Sequence, residues 1–340
     1  MRRAARLACA ALWAAACAHP AAPPTAEAET RAWPAPPARP LVRFVESFPR
    51  PDAEPVRASM WNRALTFIVG AEPESQKPTL LLERPFGLAA VERGFVVADP
   101  DARAVLRVIP REGRSTPLQC DGHAWKMPMA VAAAPDGSLY VADGAAGLVL
   151  RVAPDGGCLA IGKGALERPA GVAFVAGRIY VVDPPRHQVV AFSPDGREVL
   201  RFGARGEGDG KLHFPSGLSA AGGDTLLVVD ALNFRIVRYR ADGTALDSFG
   251  GPGDGSGAFG RPKAVATDAT GRIYVSDAQN DVVIVFSRPG QFETAVGGSN
   301  PAPGSLTLPA GVAIGDGYLY VADSYNHRVQ IFQLLLGEAP

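Results

Sequence analysis

One short phrase occurs six times in this chain, and it restricts the fold more than any other feature. FVVADPDARAVLRVI (95–109), LYVADGAAGLVLRV (139–152), IYVVDPPRHQVVAF (179–192), LLVVDALNFRIVRY (226–239), IYVSDAQNDVVIVF (273–286) and YVADSYNHRVQIF (320–332) are versions of it. Each carries an acidic residue at the same place: Asp99, Asp143, Asp183, Asp230, Asp277 and Asp323. A proline stands ahead of each copy, at Pro85, Pro128, Pro169, Pro215, Pro262 and Pro309, so successive prolines are 43, 41, 46, 47 and 47 residues apart. A unit of that length holds about four short strands, and such units stack so that each covers its neighbour's apolar face.

Within a copy the turns mark the strands. Strand a follows the proline, as in GVAFV (171–175), and strand b carries the aspartate, as in RIYVVD (178–183). Strand c follows, as in QVVAF (188–192), and Pro154-Asp155-Gly156, Pro194-Asp195-Gly196, Ala241-Asp242-Gly243 or Pro289-Gly290 turns lead to strand d. Glycine supplies the left-handed residue these hairpins need. Strands such as VVIVF (282–286) are apolar on both faces, as expected of a sheet packed between two others. Two residues after each proline the side chain is absent or minimal, at Gly87, Ala130, Gly171, Gly217, Ala264 and Gly311, which suits strands converging on an axis. The pattern predicts an all-β chain, a six-bladed β-propeller of four-stranded antiparallel blades. The sixth copy ends after strand c, and ALTFIVG (64–70) resembles the d strands CLAIG (158–162), VLRFG (199–203) and ALDSFG (245–250). Residues 64–70 are therefore expected to complete blade six and leave no open edge, with LVRFVESF (41–48) as a further outer element.

The sequence Pro-x-Gly-Val-Ala, then Ile-Tyr-Val-x-Asp, then Asn-x-Arg-(Ile/Val)-x-x-Phe resembles the NHL repeat over about 64–333. Asn326-His327-Arg328 and Asn233-Phe234-Arg235 stand where its naming triplet lies, whereas Ala145-Ala146-Gly147 departs from it. The resemblance implies the same six-bladed ring. The layout is also similar to exported bacterial NHL proteins that sit near multihaem cytochromes in genomes, which implies an envelope or electron-transfer partner.

The first residues read as an export signal. Met1, Arg2, Arg3 and Arg6 precede the apolar run Leu7 to Ala16, which is too short to span a bilayer. Ala14-Ala15-Ala16-Cys17 resembles a bacterial lipobox with Ala14 in place of the usual Leu, so Cys17 is the expected lipidation site; plain cleavage after an Ala-x-Ala site is the other reading. Residues 1–16 are then a signal peptide, 17–40 a Pro/Ala-rich tether and 41–336 the propeller, with repeats starting near 85, 128, 169, 215, 262 and 309. Ala18 gives no Asp-type retention signal, which points to the outer membrane, with a periplasmic or cell-surface location as the unanchored case. Of the remaining cysteines Cys9 lies in the signal, and Cys120 and Cys158 are either a disulfide or two free thiols.

With 34 basic and 34 acidic residues no overall field draws the chain to nucleic acid or an anionic membrane surface. Strand parity puts the b–c and d–a connections on one face of the ring and the tight a–b and c–d turns on the other. The long loops 204–214, 251–260 and 298–308 fall on the first face. Arg186, His187, Asn233, Phe234, Tyr325 and His327 are the candidate binding residues there, with a protein partner at the cell envelope expected and a monomeric ring beneath. The aspartates, Asn233, Arg235, Asn326 and Arg328 also have a purely structural reading as turn-holding groups.

An enzyme reading needs a divalent ion such as Ca²⁺ or Zn²⁺ in the channel, as related six-bladed lyases and lactonases imply. His123, His187, His213 and His327 are the metal-ligand candidates, but the strand-a starts Phe86, Met129, Ala170, Ser216, Lys263 and Ala310 supply no inward carboxylates. The Gly/Asp loops 206–210 and 253–257 lack the alternating acids of a Ca²⁺ loop and read as turns. No cofactor is expected. A sensor of a small ligand or glycan fragment is the third reading.

Overall fold

The computed structural model describes residues 31–35, 37–49, 82–253, 255–299 and 302–335. Two strands come first, β1 (Ala32–Trp33) and β2 (Val42–Phe48). Five four-stranded antiparallel sheets then follow in chain order. Blade 1 holds β3 (Gly87–Val91), β4 (Gly94–Asp99), β5 (Ala104–Ile109) and β6 (Arg114–Pro117). Blade 2 holds β7 (Pro128–Ala133), β8 (Leu139–Asp143), β9 (Leu148–Val152) and β10 (Cys158–Ile161). Blade 3 holds β11 (Gly171–Val175), β12 (Arg178–Asp183), β13 (Gln188–Phe192) and β14 (Glu198–Phe202). Blade 4 holds β15 (Pro215–Ala220), β16 (Thr225–Asp230), β17 (Arg235–Arg240) and β18 (Ala245–Gly250), and blade 5 holds β19 (Pro262–Thr267), β20 (Ile273–Asp277), β21 (Val282–Arg288) and β22 (Gln291–Gly297). Blade 6 is built from both ends of the chain, in the order β1, β2, β25 (Arg328–Leu334), β24 (Tyr318–Asp323) and β23 (Pro309–Gly315). The protein is a six-bladed β-propeller.

The inner strands β3, β7, β11, β15, β19 and β23 each touch the next, and β23 touches β3. The small residues near their starts are obligatory there. A Cβ on Gly87 would stand 2.5 Å from the Cα of Ala130, and one on Gly311 would stand 2.1 Å from the carbonyl oxygen of Phe86. Such contacts would push two backbones apart at the point where six converge. Between blades the b and c strands bury aliphatic and aromatic side chains on both faces, as Tyr180, Val181 and Val182 do in blade 3.

Ring closure differs from the expectation in its strand. Residues 64–70 lie outside the described residues. The place beside β25 belongs to β2, paired from Val42↔Leu334 to Phe48↔Val329, and β1 adds a fifth strand through Trp33↔Val42. The physical reason is a bulge. The register shifts between Phe44 and Glu46, leaving Val45 exposed as the extra residue. Before the bulge Val42 and Phe44 face blade 5, with the Phe44 ring 5.8 Å from that of Phe332. After it Phe48 faces blade 1, 6.2 Å from Phe95. One extra residue reverses side-chain parity, so a seven-residue strand fills both flanking cores. Trp33, placed in the tether by its composition, is buried against Phe332 at 5.7 Å.

Phe48→Ala empties the seam between blades 6 and 1 and should lower the unfolding free energy by about 3–5 kcal/mol in urea titration. Val45→Ala, on the bulge, should change it by less than about 0.5 kcal/mol.

Candidate functional site

The repeat aspartates are wholly buried, each 0 % exposed at the end of strand b. A carboxylate in that position needs donors, and the d–a connection leading into its own blade supplies them. Asp99 accepts the backbone N–H groups of Glu83 at 2.8 Å and Arg84 at 2.9 Å. Asp143 accepts those of Lys126 and Met127, Asp183 those of Glu167 and Arg168, and Asp277 those of Gly260 and Arg261. Asp230 accepts from His213 N–H, and Asp323 from Thr307 N–H at 2.7 Å. The donors come chiefly from the connection that enters the blade; the turn after strand b adds further ones, such as Ala102 N–H to Asp99.

In blades 4 and 6 the naming triplet works on the same carboxylate. Arg235 Nε donates to Asp230 at 2.8 Å while its Nη2 reaches the carbonyls of Gly208 and Lys211. Asn233 Nδ2 bridges Asp230 and the Gly206 carbonyl. Arg328 Nε donates to Asp323 at 2.7 Å and its Nη2 to the Ser305 carbonyl. The Gly/Asp loop at 206–210 is thus strapped down through its carbonyls. In the 253–257 loop, Asp254 lies outside the described residues.

The middle residue at the triplet position is left-handed. Its φ is 55° at His187, 53° at Phe234, 56° at Asp281 and 55° at His327. This conformation turns the side chain toward the next blade. His187 Nδ1 accepts the Phe214 N–H at 3.1 Å, Asp281 Oδ1 accepts the Leu308 N–H at 2.8 Å, and His327 Nδ1 donates to the Glu83 carbonyl. Each joins a blade to the loop entering the next. Arg186 is also tied back, to the Ala165 carbonyl at 2.7 Å and to Glu167 at 3.3 Å. Phe234 packs into the core between blades 4 and 5. Of the six candidate binding residues, only Tyr325 projects freely, 66 % exposed.

The histidines do not assemble into a metal site. His187 and His213 have ring centroids 5.4 Å apart, but His187 Nδ1 is taken, and His123 Nε2 lies 3.1 Å from Asp143. Among the described residues no three His, Cys, Asp or Glu side chains converge. Cys120 and Cys158 are joined as a disulfide with Cα atoms 5.7 Å apart, linking the connection before blade 2 to its outer strand. A shallow cavity of about 440 Å³ lies beside it, lined by His123 and Trp125 among others.

Sequence reasoning missed two features of this face. Beside the b–c turn of blade 4, Leu232 N–H bonds the His213 carbonyl, which sets exposed Leu232 next to exposed Phe214. In blade 6 Tyr325 N–H bonds the Thr307 carbonyl and pairs Tyr325 with Leu308 in the same way. The same two positions carry Arg261 and Gln279 in blade 5 and Arg84 and Asp101 in blade 1, where Arg84 and Asp101 lie 3.8 Å apart. The second feature is a cavity of about 250 Å³ at the channel mouth, lined by blades 5, 6 and 1 and holding Lys263. Aligning the six copies would have exposed both, because Lys263 is the one cation at a strand-a start and the residue before the proline changes type around the ring.

Residues 306–332, one of the six copies, match the family model of the NHL repeat. The chain is a six-bladed β-propeller that carries an NHL repeat at residues 306–332. No curated protein matches it. Solved structures share the fold. A gluconolactonase from Xanthomonas campestris is 20 % identical with a TM-score of 0.58, over 75 % of this chain and 87 % of that one. Virginiamycin B lyase from Staphylococcus aureus is 14 % identical with a TM-score of 0.55, over 75 % and 98 %. Hydrazine synthase from Kuenenia stuttgartiensis is 17 % identical with a TM-score of 0.53, over 78 % and 80 %. At these identities the likeness is one of fold.

Asp183→Ala leaves the two amides of the connection entering blade 3 without acceptors and should cost about 3 kcal/mol in urea unfolding. A pH effect follows from His187. Burial first, then the His213 and Arg205 charges, hold its pKa below the ordinary 6.5. The neutral ring is the one that accepts from Phe214, so its stabilisation is full above 6.5 and is lost as the pH falls through and below that value. The stability gap between wild type and His187→Asn should narrow over that window, by less than about 1 kcal/mol because the ring is part-exposed.

Proposed function

We propose that the protein is a non-catalytic platform of the cell envelope that binds another protein through its b–c and d–a loop face. The observation that carries this reading is the matched pair of apolar projections, Phe214 with Leu232 and Leu308 with Tyr325, on blades 4 and 6 with exposed Arg261 on blade 5 between them. Large apolar side chains grouped with arginine on otherwise polar loops are the composition of an interface core. The fitting partner offers apolar recesses and a carboxylate opposite Arg261.

The ring beneath explains why the face suits docking. Its loops are held by buried aspartates and by side-chain staples from the preceding blade, so little conformational freedom is lost when a partner seats. Enzymes share this scaffold, and the reading makes the present chain a binding variant of it. The export-signal reading of residues 1–16 and the lipobox-like Cys17 support a lipid tether at the outer membrane, with an envelope or electron-transfer protein as the partner.

The tests are direct. Crosslinking in the native cells, read by mass spectrometry, should capture a partner with wild type and lose it when Phe214, Leu232, Leu308 and Tyr325 are all changed to Ser. The same change at Leu159, Val199, Leu246 and Phe292, which are exposed on the outer strands, should leave capture intact. Equal loss in both variants would contradict the assignment of the face. Cys17→Ser should move the protein from the membrane to the soluble fraction, and unchanged membrane association would rule out the lipid tether.

A further inference from the structure

We infer that the cavity of about 250 Å³ at the channel mouth binds the carboxylate of a small organic acid with an apolar body, with Lys263 as its central charge. The inference goes beyond the platform reading and does not depend on it. Lys263 is the second residue of β19, and its counterparts at the other five strand-a starts are Phe86, Met129, Ala170, Ser216 and Ala310. It is half-buried, and among the described residues no carboxylate and no hydrogen bond acts on its ammonium.

The charges acting on Lys263 are repulsive. Burial lowers its pKa first, and Arg261 and Arg84 lower it further. Two carboxylates do line the cavity. Asp101 is engaged with Arg84 at 3.8 Å, and Glu83 is exposed at the rim; neither forms an ion pair with Lys263. A partly desolvated cation beside two others is costly unless an anion joins it. An incoming carboxylate accepts from the ammonium and from the Arg261 guanidinium, and each such bond is charge-assisted.

The other walls select the body of the ligand. Phe86, Leu308 and Ala310 present apolar surface to the same space. An inorganic oxyanion would satisfy the cations and leave this wall wet, whereas an acid with an aromatic or branched tail covers it. The volume admits a small molecule and is too small for a folded peptide segment.

Calorimetric titration of the purified protein with phenylacetate, phenylacetamide and inorganic phosphate at neutral pH and low salt tests this. Phenylacetate should saturate one site. The amide and phosphate should bind at least roughly tenfold more weakly, the loss expected when a charged hydrogen bond or the apolar contact is missing. Lys263→Met should weaken phenylacetate binding by a similar factor and melt no lower than wild type in ligand-free buffer. If Lys263→Met fails to fold, the Arg84→Gln, Arg261→Gln double variant takes its place, with the same loss of binding expected. No saturable phenylacetate binding, equal binding of the amide or of phosphate, or binding unaffected by both variants would overturn the inference.

Discussion

A carboxylate removed from water must be met by hydrogen-bond donors, and in this ring that requirement recurs once per blade. Asp183 meets it with the amides of Glu167 and Arg168, and Asp277 with those of Gly260 and Arg261. These amides lie in the connection that carries the chain from one blade's outer edge to the next blade's inner strand. The aspartate therefore fixes the crossing between blades as well as its own turn. Where one amide is diverted, another group replaces it: Phe214 N–H turns to His187, and Asp230 gains Asn233 and Arg235. The polar cluster around Asp323, with Asn326, Arg328 and Gln330, is the same solution in its most elaborate form. A buried carboxylate met by several donors holds one geometry, because every lost donor leaves it less well paired.

Fixing the crossings has consequences at both ends of the ring. Inner strands are brought so close that Gly87 and Gly311 admit no side chain. The sixth blade lacks a fourth strand from its own copy, and an open edge there would invite pairing with another chain. β2 closes it, and its bulge lets Phe44 and Phe48 enter different cores. At the seam Ser324 Oγ donates to the Pro85 carbonyl and His327 to that of Glu83, so blade 6 is tied to blade 1 by polar as well as apolar contact. The rigid face that results is what the proposed docking relies upon.

The ring was legible in the sequence because its determinants are local and repeated. The prolines, the glycine or alanine two residues on and the aspartates each mark a position that recurs in every blade. The closing strand was not, because the parity of VRFVESF changes at a bulge, and a bulge depends on what lies on each side. His187 and His327 were recognised as one repeat position, but their role as staples follows from a left-handed backbone that places the ring over the next loop. Arg186, Asn233 and Phe234 were read as binding residues because they stand on the b–c loops; their side chains hold those loops in place. Lys263 stood in view as a channel residue, and only the placement of charges from three blades shows that it lacks a carboxylate partner among the described residues.

Native-state hydrogen exchange tests the dependence on the aspartates most directly. The account predicts that the amides of Glu83, Arg84, Lys126, Met127, Glu167, Arg168, Gly260 and Arg261 exchange as slowly as those of strand b, through global opening alone, although they belong to surface connections. Exchange of these amides as fast as the hairpin-turn amides of Gly156 and Gly196 would show that the aspartates do not hold the ring together, and would contradict it.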